Sequence, residues 1–310
     1  MAVVVTGAAG FIGRQLVAAL RGRGQDVVAV DRRPCSPAAG VRSIEADLVA
    51  DLPAVRAALW TADAVFHLAG CPGVRDAAAD IAQRRRRDNV VAAAVVLAAT
   101  PPSTPVVVTS SSSVYGGAAS GGCRESDRLR PRGGYARTKV AVERLCAARL
   151  RSGGHVAIAR PFTVAGEGQR ADMALAIWLE SAALGRPITI LGSPARTRDV
   201  TDVRDVVRGL IAMADRRVTG PVNLGTGTGH RLDALTAAVL AVTGAPVDLV
   251  VAAAGRDEVA DTLADTTRTG ELLGFVPHTD LIALVRRQAA AAGIGGDRAV
   301  PAAECVAAAR

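Results

Sequence analysis

Ala2-Val3-Val4-Val5-Thr6-Gly7-Ala8-Ala9-Gly10-Phe11-Ile12-Gly13 opens the chain with a β-branched run followed at once by three glycines at three-residue spacing. The valines and threonine read as a buried strand, and the amphipathic stretch that follows, to about Leu20, reads as a helix. Between them the first glycine permits a tight turn. The second lets backbone N–H groups approach a pyrophosphate, and the third lets the helix pack close to the strand, with Phe11 and Ile12 in its first turn. A second strand, Asp26 to Val30, ends in Asp31, 24 positions after Gly7. A carboxylate there accepts hydrogen bonds from an adenosine ribose and repels a 2′-phosphate, so NAD is expected rather than NADP, with Arg32 and Arg33 beside it. Strand, glycine turn, helix and distal acid together are far more specific than the glycines alone.

Further buried strands are expected at Val41 to Ile44, Ala64 to His67, Pro105 to Thr109 and His155 to Ala159, separated by helix-length apolar patterns. Strand alternating with helix predicts an α/β fold, a Rossmann-type doubly wound parallel sheet with a smaller C-terminal substrate-binding lobe. The expected division is a dinucleotide-binding domain over 1–165 with 199–226 returning to it, and a substrate lobe over 166–198 and 227–292. A flexible tail is expected over 293–310. Past Arg160-Pro161 the pattern predicts a helix over Asp172 to Leu184, a strand at Ile188 to Leu191 and a loop from Gly192 to Asp199. A helix over Val203 to Ala214, a strand at Val222 to Leu224 and a helix over Leu232 to Val242 follow. Asp47-Leu48, after the third strand, reads equally as an adenine contact or a helix N-cap. His67-Leu68-Ala69-Gly70 ends the fourth strand where backbone meets a dinucleotide, with His67 itself in the core. Arg84 to Arg87 spread around all faces of a helix and read as a mostly solvated surface, not a nucleic-acid site.

With 310 residues, half of them hydrophobic, the chain buries a large core. Its longest apolar runs, such as Val90 to Ala99, fall far short of the ~20 residues of a membrane span. No signal peptide is visible, so a cytoplasmic protein without a membrane partner is expected. Five scattered cysteines and four dispersed histidines argue against a disulfide scaffold and a metal site. A net charge of +8 suits an anionic partner, yet aromatics are only 3 %. That scarcity argues against nucleic acid and for an anionic small molecule.

Tyr135-Ala136-Arg137-Thr138-Lys139 contains the only lysine of the chain and one of its two tyrosines. On a helix, four-residue spacing puts both side chains on one face. A phenol titrating near ~10 becomes a base near neutrality only when adjacent positive charge stabilises the phenolate. Arginine is a poor substitute, its wide fork differing from a compact ammonium. The fifth strand runs into Thr109-Ser110-Ser111-Ser112-Ser113-Val114-Tyr115-Gly116, placing hydroxyls at the carboxyl end of the sheet, where ligands sit.

These motifs resemble the extended short-chain dehydrogenase/reductase family, in particular its NAD-dependent nucleotide-sugar epimerases and dehydratases, over about residues 2 to 290. The resemblance implies that Gly7, Gly10 and Gly13 form the pyrophosphate turn and that Asp31 and Asp47-Leu48 contact ribose and adenine. It implies Tyr135 and Lys139 as the catalytic pair and Ser111 as the catalytic hydroxyl. Asn89 and Asn223, the only asparagines, fall where family motifs place one. Leu68, Ala69, Asn89 and Thr109 complete the expected NAD contacts, and Arg198 and Arg256 the expected diphosphate contacts. Serine at 112 and 113, where similar dehydratases carry Asp-Glu and decarboxylases a Glu at the second place, implies plain epimerisation. Phe162-Thr163-Val164 with Gly168-Gln169-Arg170, and Pro72-Gly73-Val74-Arg75, look like UDP-glucuronate 4-epimerases. The expected substrate contacts are therefore Arg75, Ser112, Ser113, Thr163 and Arg170, the last reading either as a partner for the sugar carboxylate or as a surface arginine at a helix start. The implied activity is C4 epimerisation of a UDP-sugar, UDP-glucuronic to UDP-galacturonic acid, through a transient 4-keto sugar, in a homodimer paired through Val90 to Ala99 and Val140 to Leu150. A 4-epimerase of another nucleotide sugar, a 4-ketoreductase and a non-catalytic NAD-sensing protein are the alternatives.

Overall fold

The structure is a computed structural model that describes residues 2–35, 38–50, 53–73, 78–118, 121–255 and 258–294. Its strands are β1 (Ala2–Thr6), β2 (Asp26–Asp31), β3 (Val41–Glu45), β4 (Ala64–His67), β5 (Val106–Thr109) and β6 (Val156–Pro161). They continue with β7 (Thr163–Ala165), β8 (Ile188–Leu191), β9 (Thr197–Asp202), β10 (Gly220–Leu224), β11 (Gly229–Arg231) and β12 (Leu249–Ala252). The helices are α1 (Phe11–Gly22), α2 (Pro53–Trp60), α3 (Ile81–Arg85), α4 (Ala92–Ala99) and α5 (Gly133–Arg151). In the second half come α6 (Ala174–Ala183), α7 (Val203–Asp215), α8 (Leu232–Thr243), α9 (Thr267–Leu273) and α10 (Leu281–Ala291).

Seven strands form one parallel sheet in the order β10-β6-β5-β4-β1-β2-β3. Successive side chains of a strand point to opposite faces, so a strand covered on both sides reads as an unbroken apolar run. That is why β1 carries three consecutive valines. Val3 and Val5 pack with Leu16, Leu20, Val206 and Leu210 on the α1 and α7 side. Val4 packs with Leu59, Val96 and Val142 on the α2, α4 and α5 side. The chain reverses direction across the sheet between β1 and β4, which opens a crevice at the carboxyl ends of the strands.

A third core, built from Trp178, Leu179, Ile188, Ile190, Leu235, Val239 and Leu284, sits among α6, α8 and α10. Two small sheets join it to the main one. β9 pairs in parallel with β7 and antiparallel with β11, and β8 pairs with β12. The expected loop from Gly192 to Asp199 therefore ends inside a strand. Polar Thr197-Arg198-Asp199 hides that strand from a hydrophobicity reading, because its pairing partners are remote in sequence.

The mostly solvated arginine run has one exception, Arg85. α3 continues through a π-helical turn at Arg86–Val91, and Arg85, Asp88 and Asn89 are all buried. Arg87 binds Asp47 and Asp88 at 2.6 and 2.9 Å, so the run is not a uniformly solvated face. The expected tail lies outside the described residues from 295 onward. No helix among the described residues is long and apolar enough to cross a membrane.

Candidate active site

A cleft of about 820 Å³ follows the carboxyl edge of the sheet, from Asp31 and Asp47 at one end to Thr163 and Arg170 at the other. Its floor is the turn after β1. Gly7 has φ +73, and a Cβ on it would stand 2.6 Å from the Ala69 nitrogen. A Cβ on Gly13 would stand 2.1 Å from the Gly7 carbonyl oxygen. Both glycines therefore permit backbone to touch backbone. Gly10, by contrast, caps α1 without any side-chain hydrogen bond, so the first-turn N–H groups of that helix are left for an anion. Phe11 and Ile12 line the cleft there.

Asp31 closes the turn, accepting from the Ala9 and Arg33 nitrogens at 3.0 Å each. The two neighbouring cations have partners: Arg32 donates to Asp88 at 2.8 Å and Arg33 to the Ala9 carbonyl at 2.9 Å. Asp47 is not the N-cap of α2, which starts at Pro53. Its carboxylate accepts from the Val49 nitrogen at 3.0 Å and from Arg87. Leu48, Leu68, Ala69, Asn89 and Thr109 line the same half of the cleft. His67 is buried against Thr6, whose Oγ1 lies 2.8 Å from Nδ1. Burial, aided by the Lys139 charge, pushes its pKa down to about 3, so it stays neutral and structural.

α5 carries the tyrosine–lysine pair. Tyr135 and Lys139 share one face, with Lys139 Nζ 5.8 Å from the phenol ring centre. Lys139 is buried and donates to the Thr109 carbonyl at 2.8 Å. That bond ties the helix to the end of β5. Burial pulls the ammonium pKa from 10.5 down to about 8. Burial likewise raises the Tyr135 phenol above its ordinary value, opposed by a hydrogen bond with Ser111 and by the charges of Arg170 and Arg85. The expectation that Lys139 makes the phenol acidic thus meets a different balance here: burial outweighs the cations. Ser111 begins the short turn Ser112–Tyr115, its Oγ accepting from the Ser113 nitrogen at 3.1 Å.

Asn89 staples the arrangement. Its Oδ1 accepts from the Cys71 nitrogen at 2.7 Å and its Nδ2 donates to Thr138 Oγ1 at 2.9 Å. Thr138 in turn donates to the Tyr135 carbonyl at 2.7 Å. Beneath the serines lies a network that the sequence reading missed. Glu143, buried on α5, accepts from Arg160 at 2.9 and 2.7 Å and from Ser110 Oγ at 2.6 Å. Arg160 also donates to the Tyr115 hydroxyl, which donates to Asn223. The signal was present, since Glu143 follows Tyr135 and Lys139 at the same four-residue step.

At the far end, Ser112, Thr163 and Arg170 line the cleft together with Phe162, Gln169 and Met173. Arg170 is bound to Asp172 through both Nε and Nη2. Ser113 and Arg198 are absent from the lining. Ser113 Oγ is buried without a partner. Arg198 donates to the Ala260 and Val259 carbonyls at 2.7 and 3.1 Å and pairs with Glu258. Arg75 and Arg256 lie outside the described residues. The carboxylates of the lining, Asp31, Asp47 and Asp88, all belong to the half nearest β2 and β3. Among the described residues no cluster of His, Cys, Asp or Glu has the arrangement of a metal site.

Relatives share this architecture. The structure of MoeE5 in complex with UDP-glucuronic acid and NAD superposes with a TM-score of 0.87 at 37 % identity, covering 94 % of this chain and 99 % of that one. The UDP-glucuronic acid 4-epimerase of Bacillus cereus, solved with UDP-glucuronic acid and NAD, gives 0.86 at 27 % identity over 93 % of this chain and 98 % of that one. An uncharacterised UDP-glucose epimerase of Bacillus subtilis, YtcB, is 30 % identical over 91 % of this chain and 94 % of its own length. The glycine turn that admits a dinucleotide, the acid at the end of β2 and the phenol–ammonium pair on α5 are the marks of one group of enzymes, and with residues 3–225 matching its model the chain belongs to the NAD dependent epimerase/dehydratase family.

Proposed function

We propose that the chain epimerises UDP-glucuronic acid at C4, giving UDP-galacturonic acid through a transient 4-keto sugar. The observation that carries this reading is the sugar end of the cleft. It holds a phenol with its serine and lysine, an arginine and two further hydroxyls, and among the described residues no carboxylate lines it. Elimination of water requires an additional acid and base, which that end does not offer. The solved complexes of MoeE5 and the Bacillus cereus enzyme with UDP-glucuronic acid support the choice of sugar.

The residues fit NAD. The first-turn N–H groups of Phe11 to Gly13, beyond the Gly10 N–H that donates to the Gly7 carbonyl at 3.0 Å, would take the diphosphate, Asp31 the ribose, and Arg32, Asp47 and Leu48 the adenine side. Leu68, Ala69, Asn89, Thr109 and Lys139 flank the reactive end. NAD, when bound there, would supply the two-electron hydride exchange at C4. Tyr135 removes the O4 proton and later gives it back, while Ser111 hydrogen-bonds the same oxygen. Lys139 keeps positive charge beside the phenolate. Thr163, Ser112 and Arg170 hold the carboxylate, Arg170 exchanging Asp172 for the sugar, because a β-keto acid left free to rotate loses CO₂.

A neutral hexose is the second reading. MoeE5 is also solved with UDP-glucose and NAD at 37 % identity, and Arg170 already holds a carboxylate from its own chain. Incubating the protein with NAD and a panel of UDP-sugars, with products identified by NMR, separates the two. Conversion of UDP-glucuronic acid without net NADH formation supports the first. Conversion of UDP-glucose alone supports the second, and stoichiometric NADH formation with a keto-sugar product replaces both with a net oxidoreductase. The proposal includes a homodimer paired through the outer faces of α4 and α5, which a sedimentation measurement tests.

A further inference from the structure

Arg85 ends α3 beneath the sugar half of the cleft and is 6 % exposed. Burying a guanidinium is costly unless its donors are met. Here Nη2 donates to the Gly73 carbonyl at 2.6 Å, yet Nε is buried without a partner. No carboxylate among the described residues pairs with it. The other side of the guanidinium abuts the catalytic helix, since a Cβ at Gly134 would stand 3.3 Å from Nη1. The glycine immediately before Tyr135 thus makes room for a cation. A residue needed only to hold the Gly73 carbonyl has no use for a permanent charge at this position.

We propose that Arg85 is a positioning residue for proton transfer at Tyr135: it clamps the Pro72–Gly73 wall of the cleft against α5 and holds a fixed positive charge behind the phenol. This rests on the reading that Tyr135 exchanges a proton with the sugar. The groups that face Tyr135 are Ser111, Arg170, Arg85 and Cys71, with Lys139 Nζ 5.8 Å from the ring centre. Among the cations, Lys139 gives up its proton at about 8 and Arg170 is held by Asp172. Arg85 cannot deprotonate, and among the described residues it is the cation near the phenol that neither titrates in this range nor pairs with a carboxylate. Burial raises the phenol, and Arg85 is one of the groups that pull it back.

The chain has only two tyrosines, which makes a direct test available. Tyr115 is buried, and burial drives its phenol far up. In the NAD-bound protein the tyrosinate absorbance that appears first is therefore that of Tyr135, identified by its loss in Tyr135→Phe. Arg85→Met and Arg85→Gln should each move this titration to higher pH and lower turnover at neutral pH about tenfold, with NAD still bound. Arg85→Lys should restore most of the wild-type titration. Where Arg85→Met fails to retain NAD, the Gln variant decides. An unmoved titration in a neutral, NAD-retaining variant overturns the proposal. The readout needs no sugar, so a wrong choice of substrate leaves it legible.

Discussion

Lys139→Met should change the pH dependence of stability in a window set by the buried ammonium. The native ammonium pKa is about 8, against 10.5 in the unfolded chain. Between those values the unfolded chain binds the extra proton, so the wild type gains stability as pH rises through the window. The gap corresponds to roughly 3 kcal/mol, present as a penalty below about 8 and relieved above 10.5. Removing the ammonium abolishes the penalty. It also strips the donor from the Thr109 carbonyl, bound at 2.8 Å, at a cost of about 1–3 kcal/mol. The two terms nearly cancel near neutrality, and the diagnostic is therefore the slope. Denaturant unfolding of wild type and variant should show a stability difference that moves by roughly 3 kcal/mol in favour of wild type as pH crosses the window. Tyr135 and the arginines are common to both proteins and largely drop out of the difference. With a single lysine in the chain, no other side-chain ammonium blurs the signal, and the α-amino group is common to both proteins. A difference that stays flat with pH means that Lys139 keeps its ordinary acidity, and the reasoning about its burial fails.

Tyr135→Phe should lower turnover by about two to four powers of ten while leaving NAD bound, and near-normal activity with UDP-sugars would remove the phenol from the chemistry. Arg170→Ala should damage conversion of UDP-glucuronic acid far more than that of UDP-glucose; equal losses in kcat/KM on both sugars would detach Arg170 from the carboxylate. Gly13→Ala places a methyl 2.1 Å from the Gly7 carbonyl oxygen, so α1 must back away from the turn. Overpacking of about 1–3 kcal/mol should weaken NAD binding roughly tenfold to a hundredfold, and unchanged affinity in a calorimetric titration contradicts the cradle.

What was legible in the sequence was local. The glycine turn, the acid ending β2, the serines ending β5 and the Tyr-Lys step of α5 each declare themselves within a few residues, and a parallel sheet brings all strand ends to one edge. Bounds held to within a residue or two where apolar runs were bracketed by turns, as for β1, β4 and β8. What could not be read depends on partners far along the chain. Arg198 was assigned to the diphosphate by motif, but its guanidinium is taken by the segment Glu258 to Ala260. Asp199 beside it is fully buried and accepts from the nitrogens of Thr226, Gly227 and Ala264 at 2.8, 3.0 and 3.0 Å. Hydropathy cannot anticipate such a role, since an aspartate is buried only when remote donors surround it. Arg85 escaped for another reason: four arginines in a row carry no periodic signal, and the π-helical turn that follows them alters the phase in which side chains meet the core.

Glu143 shows how a short motif can be the visible end of a longer device. Tyr135, Lys139 and Glu143 stand at successive four-residue steps of α5, yet the three face different partners. Tyr135 meets Ser111, Lys139 meets the Thr109 carbonyl, and Glu143 meets Ser110 and Arg160. One helix face therefore grips three consecutive elements of the strand end, Thr109, Ser110 and Ser111, and through Arg160 the adjoining strand that leads to Thr163. Rotation of α5 by even part of a turn would break all three contacts together. The separation of phenol and ammonium, 5.8 Å from Nζ to the ring centre, is thus set by a rigid rack rather than by the two side chains, which is the preorganisation that the proposed proton transfer requires.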